Sequence, residues 1–354
     1  MSKCFVLGAG FSNAVAELPL TRDLLNSFKK VQEAQVLAKN ELRVGWGENI
    51  KMFLVKLEAE FIHPRRQSAI QEGCNEWSIH YTDLESILTF IDSNLISPLH
   101  TELVVNHERV DSFKESPYWS GIDLKEIRSC IQTYVYLSLD SNCHTKESLG
   151  KFIDQLNIGD TIVSFNYDLV LDRALFKKRI WKPKDGYGAT FQRFPNISND
   201  DNNESQILLL KLHGSLNWEN GTEGSTVLSW FDDKRKPYFD GYAEVKPPPF
   251  DYQGKYTGRW ILPSYIKPLN SELFISLWKK AHDALTNAEQ VVVIGYSLPD
   301  ADSTSRLLMA STRIDKKGMI VVDHNCNEVI VKFAKLTGNE NYKTFSTLDN
   351  YLKS

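Results

Sequence analysis

His213 is the residue of this chain best placed to move a proton. It follows the apolar run Leu208-Leu209-Leu210-Lys211-Leu212 and precedes Gly214. An imidazole titrates near neutral pH, so one at the end of a core strand can take a proton from a hydroxyl or a water. Asn166 stands in the same way beyond a second run, Thr161-Ile162-Val163-Ser164-Phe165. Its amide can hold a water or a sugar hydroxyl, or it can cap the helix that follows. Asp168 offers a carboxylate for a ligand, or for the first turn of that same helix. A third run, Cys4-Phe5-Val6-Leu7, leads into Gly8-Ala9-Gly10-Phe11-Ser12. Two glycines there let the backbone approach a pyrophosphate, and the next helix presents its N-terminus to negative charge. The third glycine of a GxGxxG fingerprint is missing, with Asn13 in its place. Two more runs end on Gly295-Tyr296-Ser297 and on Asp323-His324-Asn325.

Runs that are apolar on both faces suit strands of a parallel sheet covered by helices. In such a sheet the carboxyl ends of the strands share one edge, where ligands bind. Five distant pieces of sequence are therefore expected to converge on one crevice. A helix is expected over Tyr167–Leu175. From about residue 24 to 150 the pattern changes. Leu24, Leu25 and Phe28 recur at helical spacing, as do Phe53, Leu54, Leu57 and Phe61, and Leu84, Ile87, Leu88 and Ile91. This stretch reads as an all-helical module, 24–150, inserted after the first strand–helix unit. Residues 1–23 and 151–354 would then form the α/β domain, a parallel sheet with helices on both faces. Pro195–Gln206 reads as a loop and Thr222–Thr257 as irregular.

Composition narrows the classes. Among 354 residues, 41 are Lys or Arg and 45 are Asp or Glu, a net charge of −4. Nucleic-acid binding needs a dominant basic face, which that balance argues against. No apolar run approaches the ~18–20 residues of a membrane span, and the N-terminus reads as a first strand rather than a signal peptide. The five cysteines, at 4, 74, 130, 143 and 326, form no CxxC pair. That spacing fits neither a disulfide framework nor a Cys-rich zinc site, and it suits a reducing cytoplasm. A dehydrogenase should carry an acidic residue closing a second strand about 20 residues past the glycines; no such strand is evident.

In order along the chain, Gly8-Ala9-Gly10-Phe11-Ser12, Ser164-Phe165-Asn166-Tyr167-Asp168, Lys211-Leu212-His213-Gly214-Ser215 and Gly295-Tyr296-Ser297-Leu298 resemble the motifs of the sirtuin (Sir2-like) superfamily. Leu18-Pro19-Leu20-Thr21-Arg22 is similar to its Ile-Pro-Asp-Phe-Arg loop, with Leu20 at the Asp position. Protein-deacylating members carry a four-Cys zinc ribbon after His-Gly, whereas this chain has no cysteine between 143 and 326. The Phe-Gly-Glu stretch that clamps an acyl-lysine peptide is replaced by Trp260–Pro268. These departures resemble the prokaryotic antiphage-defence branch that hydrolyses NAD.

The resemblance implies a Rossmann-like domain that consumes NAD as substrate, with no metal, and releases nicotinamide and ADP-ribose. It implies that Asn166 holds the ribose hydroxyl or the attacking water and that His213 is the general base. Asp168 would orient the nicotinamide carboxamide. Gly8, Ala9, Gly10, Phe11 and Ser12 would cradle the pyrophosphate, with Arg22 beside the nicotinamide-side phosphate or ribose. Gly295, Tyr296 and Ser297 would contact the adenosine side, with Asn325 near its ribose. It also implies a homo-oligomer and a HerA-type ATPase partner, with the helical module restraining activity. The alternatives are a protein deacylase or ADP-ribosyltransferase, and a non-catalytic module that senses NAD or ADP-ribose.

Overall fold

A computed structural model of the chain describes residues 2–26, 84–96, 144–191, 204–220, 225–228, 238–240, 243–245, 258–264, 267, 271–300 and 302–354, with scattered positions from 128 to 139. The chain divides into two compact units. One comprises residues 1–20, 139–261 and 268–354, and the other residues 21–138 and 262–267.

The first unit opens with β1 (Lys3–Leu7) and α1 (Ala9–Ala16), and resumes with α3 (Glu147–Asp154), β2 (Thr161–Ser164), α4 (Val170–Lys177) and the short α5 (Pro183–Gly186). Then come β3 (Leu208–Lys211), β4 (Gly214–Asn220), β5 (Thr226–Leu228), β6 (Tyr238–Asp240), β7 (Ala243–Val245) and β8 (Gly258–Trp260). The last stretch is α6 (Glu272–Asn287), β9 (Gln290–Ile294), α7 (Ser303–Ser311), β10 (Gly318–Val322), α8 (Cys326–Thr337), β11 (Tyr342–Phe345) and α9 (Leu348–Leu352). In the second unit, α2 (Leu84–Ile96) buries Leu84, Leu88 and Ile91 at helical spacing. There Arg128 meets the buried Asp92 at 2.6 Å. The run expected at Leu24, Leu25 and Phe28 begins in a 3-10 helix, Thr21–Asn26, with Leu24 buried, while Phe53 to Phe61 and most of Pro195–Gln206 lie outside the described residues.

Six strands pair in parallel in the order β11-β10-β9-β1-β2-β3. Numbered among themselves, these strands run 3-2-1-4-5-6 from β3 to β11, the doubly wound arrangement. The five expected strands are all present. Val6, Val163, Leu210, Val293 and Val321 are buried and side by side, as strands covered on both faces require. The sixth, β11, is Tyr-Lys-Thr-Phe, exposed over its first half. An edge strand needs no apolar run, so sequence gave no sign of it. The expected irregular stretch after 222 contains three strands. β5 and β8 pair antiparallel with β4, and β6 with β7. Expected from Tyr167, α4 starts at Val170, because Asp168 Oδ1 accepts the Val170 amide at 3.0 Å and caps the turn.

The doubly wound order places its switch point between β1 and β9, where chain leaves the sheet in opposite directions. Two glycine loops meet there. The Gly8 amide donates to Ile294 O (3.1 Å) and the Gly10 amide to Gly295 O (2.9 Å). A Cβ on Gly10 would lie 2.7 Å from Gly295 Cα, and one on Gly295 (φ +61°) would run into Phe11 N and Gly10 C. Gly295→Ala should therefore cost about 2 kcal/mol or more in urea unfolding, from overlap plus the left-handed backbone. Gly150→Ala is the control. It lies inside α3 with nothing near the added methyl, and should gain about 0.5–1 kcal/mol.

Candidate functional site

Strand register decides which side chains can meet. Leu7 pairs with Ser164 and Ile294, Ser164 with Lys211, and Ile294 with Val322. Two residues beyond that row stand Ala9, Asn166, His213, Tyr296 and His324. The pairing continues past the strand ends, with Phe165 N on Leu7 O (2.9 Å) and Leu212 N on Ser164 O (3.0 Å). Asn166 and His213, 47 positions apart in sequence, thus leave neighbouring strands at the same level, with about 4.8 Å between strands.

Asn166 is half-buried, and its amide orientation is set by its partners. Nδ2 donates to Gly8 O (2.8 Å) and to Ser12 Oγ (3.0 Å). A carbonyl can only accept, so the nitrogen faces it and both amide hydrogens are committed. Oδ1 is the group left to act on a ligand. Ser12 Oγ in turn donates to Asp168 Oδ2 at 2.7 Å. Burial raises the Asp168 pKa, while Lys211 and the bonds from Ser12 and Val170 pull it back. A cavity of about 10 Å³, room for roughly one water, lies beside this chain. Ser12, Ser164, Asn166, Asp168 and Asp172 are among its walls.

Under this network lies a lysine that sequence reading passed over. Lys211 is 1% exposed. Its Nζ donates to Asp168 O (2.5 Å), Tyr167 O (3.3 Å) and both oxygens of the buried Asp172, at 3.2 and 3.3 Å. The Tyr187 hydroxyl also donates to Asp172, and accepts from Asn217 Nδ2 at 3.4 Å. Lys211 therefore ties the loop carrying Asn166 to β3 and α4. A lone Lys inside Leu208–Leu212 was the available signal, since a buried cation must be paired.

His213 is 7% exposed. Phe165 packs against it, ring centroids 5.1 Å apart, and stacks on Tyr296 at 4.3 Å. Its Nε2 lies 3.5 Å from Asp302 Oδ2. The same oxygen accepts from the Tyr296 hydroxyl at 3.0 Å. Burial, then the Asp302 charge, pushes the Tyr296 pKa well up, so its hydroxyl stays a donor. The space beside Gly214, the next residue, belongs to β8: a Cβ there (φ +84°) would sit 2.6 Å from Arg259 O and 2.7 Å from Trp260 Cα.

The remaining candidates divide. Gly8, Ala9, Gly10, Phe11 and Ser12 form the β1–α1 turn, but the Gly8 and Gly10 amides point at the β9 loop, so these glycines serve loop-to-loop packing. Phe11 is buried in the core. Across the switch point Tyr296 is buried, while Ser297 and Asn325 are exposed. Asn325 leads into α8 with its amide on Asp323 Oδ1 at 2.8 Å. Arg22 belongs to the second unit and its side chain lies outside the described residues. Asp302, Lys211 and Asp172 are the polar groups at this edge not marked as candidates in the sequence. Among the described residues, no group of three or more His, Cys, Asp or Glu is disposed as a metal-ligand set, and no helix is long and apolar enough to cross a membrane.

Residues 160–328, from β2 to the start of α8, match the family model of the SIR2-like domain. No curated protein matches the chain. Solved structures resemble it at low identity. A Sir2 homologue in complex with NAD is 12% identical, covering 99% of this chain and 86% of its own, at a TM-score of 0.40. A mutant Sir2 homologue bound to ADP-ribose is also 12% identical, covering 99% and 88%, at 0.37. A third, a Sir2 enzyme described for its mechanism and regulation, is 11% identical, covering 99% and 89%, at 0.41. The doubly wound fold itself is defined by strand order and register.

Two stability measurements check these buried groups. Lys211→Met strands the Asp172 carboxylate in the interior and should cost about 3–5 kcal/mol; adding Asp172→Leu should recover part of that loss. For Asp168 the native pKa stands above the unfolded one, about 3.9. Its contribution is therefore full below that value and is lost as pH rises through the native pKa. Asp168→Asn removes the titration. Its stability relative to the parent should climb between pH 4 and pH 7 in urea melts, and a flat difference would contradict the raised pKa.

Proposed function

We propose that the chain is an NAD+ glycohydrolase that cleaves the bond between nicotinamide and ribose. The observation that carries the reading is that Asn166 and His213 each stand two residues past a paired position of β2 and β3, Ser164 and Lys211, at the carboxyl edge of a doubly wound sheet. Dinucleotides bind outside the carboxyl ends of strands at such a point. The match of residues 160–328 to the SIR2-like domain supports the same substrate.

Cleaving a glycosidic C–N bond develops positive charge on the sugar, as in other glycoside hydrolyses. In the proposed reaction, nicotinamide leaves C1′ with the bonding electron pair, and a water oxygen bonds to C1′. The water's proton passes to His213 and then to solvent. The balance is NAD+ plus water to nicotinamide, ADP-ribose and a proton. Asn166 Oδ1 accepts a hydrogen bond from the water or from a ribose hydroxyl, because its amide hydrogens are held by Gly8 and Ser12. Asp168, with its oxygens on Ser12 and Val170, serves by holding Ser12 and through it Asn166. The pyrophosphate would lie over Ala9 and Gly10 near the N-terminal end of α1. Gly295, Tyr296, Ser297 and Asn325 would line the adenosine half.

A hydrolase that empties the NAD pool would stop the cell that makes it, the behaviour of an antiphage effector. On that reading the enzyme works under restraint, as a homo-oligomer or with a HerA-type ATPase. The test is nicotinamide release from NAD+, followed by mass spectrometry with and without such a partner. Asn166→Ala and His213→Ala should each lower release by about 100-fold or more with circular dichroism unchanged. Full turnover in both variants overturns the assignment. Tight NAD+ binding with no nicotinamide formed under any condition would make the protein a sensor instead. Nicotinamide release that requires an acetyl-lysine peptide would make it a deacylase.

A further inference from the structure

Asp302 is a carboxylate in an unusual position. It is 3% exposed, on the loop between β9 and α7, and 89 residues from the imidazole it faces. Two fixed elements hold it. Oδ1 accepts the Ser305 amide at 3.4 Å and so caps α7, and Oδ2 accepts the Tyr296 hydroxyl at 3.0 Å. The Oδ2 atom also faces His213 Nε2 at 3.5 Å, an ion-pair contact longer than a hydrogen bond, and both side chains are buried. Phe165 lies against the His213 ring on one side of this contact and the Tyr296 ring on the other. The loop that delivers Asp302 is itself strained, with Leu298 buried at φ +53°. A non-glycine residue is held in that region only where surrounding structure over-determines it.

We propose that Asp302 is the positioning carboxylate of His213, fixing its ring and keeping its hydrogen on Nε2 so that Nδ1 is the basic nitrogen. The nitrogen that carries the proton in a neutral imidazole is set by the bond the other nitrogen makes. A carboxylate can only accept, so its charge 3.5 Å from Nε2 favours the hydrogen on that nitrogen, and a small closure of the contact in the substrate complex makes it a hydrogen bond. When His213 takes a proton from the attacking water, the imidazolium forms beside a negative charge already in place, with no reorganisation. The inference rests on the hydrolase reading only in naming His213 as the acceptor. Asp302 itself touches no substrate; it acts through the imidazole.

The sharpest variant is Asp302→Asn. The Ser305 amide is a donor and keeps the side-chain oxygen on α7, which turns the new NH2 toward His213 Nε2. A donor there demands a lone pair on Nε2, so the ring hydrogen moves to Nδ1. Imidazole 15N spectra of the full chain, with the His213 signals assigned by loss in His213→Gln, should show the Nε2–H form in the parent and the Nδ1–H form in Asp302→Asn. Nicotinamide release should fall by about 100-fold in kcat, with KM for NAD+ within about 3-fold. Asp302→Glu, which restores a carboxylate, should recover at least about 10-fold of that loss. A role confined to capping α7 would instead lower the urea midpoint and leave the tautomer alone. An unchanged tautomer, or kcat within about 3-fold of the parent in Asp302→Asn, overturns the proposal. If the parent releases no nicotinamide but the tautomer inverts, the hydrolase reading fails and the hold of Asp302 on His213 stands.

Discussion

The site depends on a contact between two stretches of bare backbone. Gly8 and Gly10 on one side, and Gly295 on the other, bring the β1–α1 turn and the loop after β9 within hydrogen-bonding distance. No side chain fits between them. The contact joins the two loops at the switch point, between the strands that precede Asn166 and Tyr296. It also consumes the Gly8 and Gly10 amides. A glycine-rich turn is commonly read as room for a phosphate; here the glycines first make room for another loop. Anion binding at this edge would then draw on the end of α1, a weaker and more diffuse source of positive potential.

Much of this was legible because parallel strands covered on both faces leave apolar runs. Cys4–Leu7, Ile162–Val163, Leu209–Leu210, Val291–Ile294 and Met319–Val322 are buried nearly throughout. Their ends had to share an edge, so Asn166 and His213 were expected along it; Asn166 is held by Gly8 and Ser12, and His213 lies against Phe165 and Asp302. The elements missed carry no such signature. β11 is half polar because it lies at an edge, and the strands after His213 are short and interrupted. Asp302 was hidden differently. It sits in Pro-Asp-Ala-Asp, an ordinary helix-capping sequence, and nothing local tells that its second oxygen faces an imidazole. Only the tertiary fold brings a cap residue and a strand-end histidine face to face.

Lys211 shows the same limit from the other side. Its position, last in β3, was clear, but its role was not. A charged group at the level of Ser164 could have faced the crevice and met a phosphate. Instead it is buried against Asp172 and two backbone carbonyls. Burying an ion pair is seldom a gain in stability over apolar packing, because both groups lose their water. Its use here is geometric. Tyr187, Asn217 and the carbonyls of Tyr167 and Asp168 complete the shell around the pair, so the loop bearing Asn166 is tied at three points.

Fixed and open groups are unevenly divided along the edge. On the β2–β3 side Asn166 is hydrogen-bonded to Gly8 and Ser12, Asp168 to Ser12, and His213 stands 3.5 Å from Asp302. Across the switch point, Ser297, His324 and Asn325 are exposed. Chemistry gains from groups that need not move as charge develops, whereas binding a nucleotide can tolerate side chains that settle onto it. Under the proposed hydrolysis, the reacting end of a bound dinucleotide would lie over β2 and β3, and its non-reacting half over β9 and β10. The buried Ser12–Asn166–Asp168 and Lys211–Asp172 networks lie under the half where displacement of an amide by an ångström would be felt in rate.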